Sequence, residues 1–202
     1  NGLNLNLSPS DLNGRNGFVM RGYTTGTGTG LNVAGGGDFN NDGLSDFVIG
    51  QPFAEDFPNG QTGVVTVVFG TRAAHQSIES LGNFVSGTLR IVGDTAADQF
   101  GDSLSLNGDI NGDGFADLIV GAPHANDKSG SAFVIFGHSL GNNTTFNLLS
   151  VHDLDGSNGF RINGIATNGL LGDSVASAGD VNGDGYADIV VGSSGVDLSG
   201  IN

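Results

Sequence analysis

The chain has 202 residues, a formal net charge of −15, 37 glycines, 13 phenylalanines and no cysteine. So acidic a chain repels phosphate backbones and anionic membrane surfaces, which excludes nucleic-acid binding as a primary role. Without cysteine there are no disulfides, zinc–thiolate sites or Cys nucleophiles. Only 4 prolines and no Gly-X-Y period exclude collagen.

In chain order, Asn1 to Leu7 alternates Asn and Leu and lacks a basic region followed by an apolar core, so no signal peptide is visible. Phe18 to Arg21 is expected to be a strand. The run Gly26-Thr27-Gly28-Thr29-Gly30 has the look of a phosphate loop, but no helical pattern follows it. Val64 to Phe69 is the longest apolar stretch, strand-sized and far short of a membrane span. A turn around Ala73 to Leu81 is the one hint of helix. Leu89 to Gly93, Ser103 to Asn107, Asp117 to Gly121 and Ser131 to Gly137 are short, β-branched or aromatic, and bounded by Gly, Asp or Ser. Ser103 to Asn107 alternates as a half-buried strand should. Ala187 to Gly192 ends the series.

Self-similarity organises these elements. Asp38-Phe39-Asn40-Asn41-Asp42-Gly43-Leu44-Ser45-Asp46 recurs at Asp109 to Asp117 and again at Asp180 to Asp188, each 71 residues on. Gly22, Gly93 and Gly164 keep that step, as do Gly30, Gly101 and Gly172, and Phe18, Leu89 and Phe160. A fixed period of this size marks a repeat architecture. Four short strands per period with glycine-rich turns predict an all-β fold of four-stranded antiparallel β-propeller blades, about three repeats of 71 residues. The units run approximately 1–70, 71–141 and 142–202, the last incomplete. Propellers have about 4–8 blades, so the segment is expected to belong to a larger ring. Alternatively, two copies associate head-to-tail into one, with Leu3 to Leu7 substituting for an absent strand.

The repeated nonapeptide places oxygen donors at alternate positions and glycine at the sixth. Hard cations such as calcium take 6–8 oxygens, and glycine permits the positive-φ turn that wraps a loop around an ion. The expected ligands are Asp38, Asn40, Asp42, the Leu44 carbonyl and Asp46; Asp109, Asn111, Asp113, the Phe115 carbonyl and Asp117; and Asp180, Asn182, Asp184, the Tyr186 carbonyl and Asp188. Each loop starts like an EF-hand, but its twelfth position is Ile49, Val120 or Val191 where an EF-hand needs Glu. Those apolar residues lie in a strand, so the loop belongs to a hairpin and the ninth Asp takes the place of the Glu. Asp, Asn and Gly are also ordinary turn residues. Three copies retaining every donor favour about three calcium ions, which would offset six of the fifteen net negative charges.

The second unit reads Phe100-Gly101, then Asp109 to Asp117, then Gly121-Ala122-Pro123. This resembles the FG-GAP repeat of integrin α-subunit propellers, and the resemblance covers essentially all of residues 1–202. The first unit departs at Thr29-Gly30 and Gly50-Gln51-Pro52, the third at Leu171-Gly172 and Gly192-Ser193-Ser194, which spares the ligands. The Asn-Gly-rich style looks more like bacterial extracellular repeats than an animal integrin. The resemblance implies a calcium-stabilised structural or adhesion module of an extracellular or cell-surface protein, with a protein or glycan ligand, neighbouring blades as partners and no membrane insertion. Alternative expectations are a lectin-type propeller with glycans between blades, or a non-catalytic propeller attached to an enzyme. No catalytic constellation is visible. His75, His124, His138 and His152 fall outside the 71-residue register and are expected at the surface, as is the pair Glu55 and Asp56. Asp94 and Asp98 lie on an expected loop. Asp102 and Asp173 share the register, with Leu31 in the first unit, and are expected to be structural.

Overall fold

In a computed structural model, residues 8, 12, 14, 16–22, 25–55, 60–74, 81, 87–139 and 148–196 are described. Most of the expected turn at Ala73 to Leu81 and all of Leu3 to Leu7 lie outside them. Among the described residues the glycine-bounded apolar runs form eleven strands: β1 Val33–Gly35, β2 Phe47–Gln51, β3 Val64–Val68, β4 Thr88–Val92, β5 Ser103–Gly108, β6 Asp117–Ala122, β7 Ser131–Ile135, β8 Leu148–Ser150, β9 Gly159–Asn163, β10 Leu171–Gly179 and β11 Asp188–Ser193. No helix among the described residues is long and apolar enough to cross a membrane.

The first sheet has the order β1-β2-β3-β4-β8, the second β5-β6-β7-β9, and the third pairs β10 with β11. Each complete sheet takes three strands from one repeat and its fourth from the start of the next. The second sheet is the expected four-stranded antiparallel blade. The first differs, because β8 adds to β4 in parallel through Arg90–Leu148, Ile91–Leu149 and Val92–Ser150. Nothing in the short run Leu148-Leu149-Ser150 signals this edge pairing, which is decided between segments far apart in sequence.

Phe18 to Arg21 does not form the expected strand. Met20 carries only a single bridge. Beside it, Arg21 O accepts from Leu81 N–H at 2.9 Å, whereas the segment's register equivalents in β4 and β9 pair residue by residue with a third strand. The side chains nevertheless keep the strand's place: Phe18 packs on Phe47 with ring centroids 5.9 Å apart, and Met20 joins Ile49, Val68 and Leu81.

The main core fills the junction between the first two sheets. Val48, Val65, Val67, Leu89 and Ile91 meet Leu106, Leu118, Val120 and Phe133. Every residue of β3, β6 and β7 is buried, as strands covered on both faces require. Phe100 meets Phe133 edge-on at 5.4 Å. Glycine makes the approach possible: a Cβ on Gly121 would lie 1.9 Å from the Gly172 carbonyl oxygen. Ser103 Oγ donates to that same carbonyl at 2.7 Å.

Candidate metal centre

All three nonapeptides sit in hairpins, between β1 and β2, β5 and β6, and β10 and β11. The last two hairpins carry a register shift immediately before the loop, between Leu106 and Gly108 and between Ser177 and Gly179. Such a bulge re-aims the strand end. The fourth and sixth positions turn left-handed. At the fourth, Gly112 (φ 75°) and Gly183 (φ 79°) are matched by Asn41 (φ 55°), and asparagine tolerates that region.

The hydrogen bonding repeats copy by copy. The first Asp gathers the loop's amides: Asp109 Oδ1 accepts from Gly112 N–H (2.7 Å) and Asp113 N–H (3.1 Å), and its Oδ2 from Gly114 N–H (3.0 Å). Asp180 accepts from Gly183, Asp184 and Gly185 in the same way, and Asp38 from Asp42 and Gly43. The Asn at position three accepts from the amide at position five, at 3.1, 3.0 and 2.8 Å in Asn40, Asn111 and Asn182. It also donates to that residue's Oδ2. Asp42, Asp113 and Asp184 each accept from the amide at position seven. The structure therefore brings the expected side chains of each loop together around shared backbone amides. Among the described residues, no three acidic or histidine side chains converge on one point as metal ligands do.

The ninth Asp does something that sequence reasoning missed. Asp46 and Asp117 are each 1% exposed. Asp117 Oδ2 accepts from Ile110 N–H at 2.7 Å and Oδ1 from Gly137 N–H at 2.9 Å. Asp46 accepts likewise from Phe39 N–H and Gly70 N–H, both at 2.8 Å. The carboxylate thus clamps the loop's second residue to the end of the third strand. A signal for this existed in the Phe69-Gly70 and Phe136-Gly137 pairs that close both third strands: a Cβ on Gly137 would lie 2.5 Å from the Ala116 carbonyl oxygen. In the third copy Asp188 keeps the bond from Val181 N–H (2.9 Å) and, among the described residues, otherwise accepts only from Asn182 at 3.4 Å.

Burial pushes the Asp117 carboxyl up to about 6, against the lowering pull of the Gly137 and Ile110 amides, and Asp46 moves the same way for the same reason. The exposed Asp180 is held below the ordinary carboxylate range, foremost by the Gly185 amide. The donor set of each loop is entirely oxygen: three carboxylates, one amide and one backbone carbonyl. A carboxylate has about four lone-pair sites, so the amide bonds do not exhaust it. In its chemistry this set fits a hard cation.

The other candidates are dispersed. His138 is exposed and lies edge-on to Phe39. His152 is exposed too, 3.5 Å from Asp94, while His124 is half-buried. Glu55 is exposed; Asp56 and His75 lie outside the described residues. Asp98 is 7% exposed, and burial raises its carboxyl despite Arg161 nearby. Asp102 is raised by burial and by Asp173. Arg161 organises this side of the junction: it donates to Ser131 Oγ and Asn126 Oδ1, lies 5.1 Å from the Phe133 ring centroid and pairs with Asp94 at 3.6 Å.

Comparison with known families matches residues 29–68, 100–135 and 171–201 to the FG-GAP repeat. Among curated proteins, the chain is 30% identical to integrin alpha-4 of Xenopus laevis over 156 residues, covering 77% of this chain and 13% of that protein. It is 33% identical to integrin alpha pat-2 of Caenorhabditis briggsae over 168 residues, covering 77% and 12%. It is likewise 33% identical to integrin alpha-7 of Mus musculus over 170 residues, covering 84% and 12%. The chain thus spans about an eighth of the length of these relatives.

Proposed function

The chain belongs to the integrin alpha-like FG-GAP repeat family, and from that premise we propose that it is a calcium-stabilised adhesion module of an extracellular or cell-surface protein. The observation that carries the proposal is the threefold recurrence of one oxygen-lined loop with the same internal bonding. Turn formation alone needs neither three carboxylates nor an amide at fixed alternate positions, whereas together with a backbone carbonyl they offer the all-oxygen donor set that a hard cation takes. Asp38, Asn40, Asp42, the Leu44 carbonyl and Asp46 would hold one ion. Asp109, Asn111, Asp113, the Phe115 carbonyl and Asp117 would hold the second. Asp180, Asn182, Asp184, the Tyr186 carbonyl and Asp188 would hold the third.

Bound calcium supplies fixed positive charge among carboxylates that otherwise repel one another. The chain's own residues do the remainder: the first Asp draws the loop amides inward, and the ninth ties the loop to the third strand. The hairpins then hold the sheets at a fixed spacing, and loops at the rims of the sheets meet a protein ligand. On this reading the module binds and does not catalyse, in keeping with relatives named as integrins.

Thermal unfolding in excess calcium and after chelation tests the proposal. Each occupied site adds about 2.7 kcal/mol at a hundredfold excess over Kd, so three sites raise the midpoint strongly, and calorimetric titration returns a stoichiometry near three. An unchanged midpoint together with no heat of binding would reduce the loops to turns and remove calcium from the reading.

A further inference from the structure

The oxygen-lined loops are fastened to one another, each to the loop of the following blade. Ala116, eighth residue of the second loop, donates its N–H to the carbonyl of Asp38, first residue of the first loop, at 3.0 Å. Ala187 of the third loop donates in the same way to the Asp109 carbonyl at 2.9 Å. Glycine just before the first residue allows the approach. A Cβ on Gly37 would lie 2.7 Å from the Ala116 Cβ, and one on Gly108 would lie 3.1 Å from the Ala187 Cβ. The eighth residue stands between the seventh, which offers its carbonyl, and the ninth, which offers its carboxylate. Whatever fixes positions seven to nine of one loop therefore aims the first Asp of the loop before it.

A second link runs beside each of these. Asp117 Oδ1 accepts from Gly137 N–H at 2.9 Å, and the adjoining His138 donates its N–H to the Phe39 carbonyl at 3.0 Å. Phe39 N–H is in turn held by Asp46 Oδ2 at 2.8 Å. An unbroken run of hydrogen bonds and backbone thus joins the ninth carboxylates of the first two loops. It is tightly packed: Phe39 is fully buried, and a Cβ on Gly137 would lie 2.7 Å from its carbonyl oxygen. Between the second and third loops, the Tyr186 ring lies against Gly112, where a Cβ would be 2.6 Å from Tyr186 Cε1.

We propose that the loops take up their cations cooperatively, each filled loop positioning the first Asp of the loop before it. The inference rests on the calcium reading above and adds regulation to it. A loop that closes around an ion fixes backbone already bonded to the neighbouring loop, so the neighbour has less ordering left to do. Such coupling is reciprocal and typically changes affinity about 5–150-fold. Ala116, Ala187 and His138 are positioning residues through their amides, and Tyr186 through its ring.

Calcium titration of the full chain, followed by the amide NMR signals of Gly43, Gly114 and Gly185, tests it. Each of these amides donates to the first Asp of its own loop and so reports that loop. The titrations are run at physiological salt and at about 1 M, where charge is screened within about 3 Å. Asp113→Asn, at an exposed position of the second loop, is expected to weaken binding at Gly43 about fivefold or more at both salts. Asp42→Asn should weaken binding at Gly114 to a similar extent. Tyr186→Ala keeps its backbone carbonyl and should shrink the effect of Asp184→Asn on Gly114; an undiminished effect would overturn the role of the ring. A Gly43 midpoint that stays in place in Asp113→Asn, or moves only at the lower salt, would overturn the coupling and leave the calcium reading intact. No calcium-dependent shift at any of the three glycines would overturn both.

Discussion

Replacing Asp117 by alanine separates the two tasks open to the ninth loop position, backbone clamp and cation ligand. The carboxylate is 1% exposed and accepts from Ile110 N–H at 2.7 Å and Gly137 N–H at 2.9 Å. Truncation leaves both donors without an acceptor. A buried group left unsatisfied costs about 1–3 kcal/mol, so the pair costs about 2–6 kcal/mol even with no cation present. At about 2–4 °C per kcal/mol for a chain of this size, the midpoint falls by roughly ten degrees. Asp117→Asn retains one acceptor oxygen, sets an NH2 group against the other donor and should lie between. Asp188→Ala is the control. Its carboxylate accepts from Val181 N–H at 2.9 Å in an exposed setting, water can replace it, and the cost is about 1 kcal/mol or less. Urea unfolding followed by far-UV circular dichroism, in chelator and again in excess calcium, measures all three. Equal losses at 117 and 188 in chelator would refute the clamp. A loss at 117 seen only with calcium would make the residue a ligand and nothing more.

Gly121→Ala drives a methyl group to 1.9 Å from the Gly172 carbonyl oxygen and should cost about 1–3 kcal/mol or more in urea unfolding. Gly192→Ala, meeting only the rotatable Ser174 hydroxyl at 2.3 Å, should stay within about 0.5 kcal/mol; the reverse order would falsify the stacking. Phe133→Ala removes a side chain that is 2% exposed and lies between Phe100 and Arg161, an expected loss of about 3–5 kcal/mol. A loss below 1 kcal/mol would place the core elsewhere. Burial raises the Asp98 and Asp102 carboxyls above 3.8 in the folded state, so the folded chain holds these protons at higher pH than the unfolded one. Their ionisation costs stability at neutral pH, and that cost is relieved as pH falls through the folded values toward 3.8. Asp98→Asn should therefore stabilise the protein at neutral pH and flatten this slope; an unaltered pH profile of the midpoint counts against it. Asp155 and Asp180, held low by hydrogen bonds from Ser157 and Gly185 respectively, oppose the trend only below 3.8.

The strands of the second unit were legible almost residue by residue: Ser103 to Asn107 became Ser103–Gly108, and Asp117 to Gly121 became Asp117–Ala122. Short β-branched runs between glycines admit few other structures, and a step of 71 residues ties each to its equivalents. The loops were legible for the same reason, since donor type and glycine position are local properties. Phe18 to Arg21 reads as a strand, yet only Met20 bridges there, because the apolar pattern records which face is buried and not how the backbone alongside is registered.

Residue order alone establishes a repeat of glycine-punctuated strands carrying an oxygen-rich loop in every copy. Packing in three dimensions is what buries Asp117 onto two backbone amides, joins β8 to β4 in parallel, and covers Val48 while its equivalent Val190 is bare. Composition and spacing act over a few residues, and so they repeat faithfully. Burial and edge pairing depend on what stands alongside in space, which differs between the inner sheets and the ends of the stack even where the residues are the same.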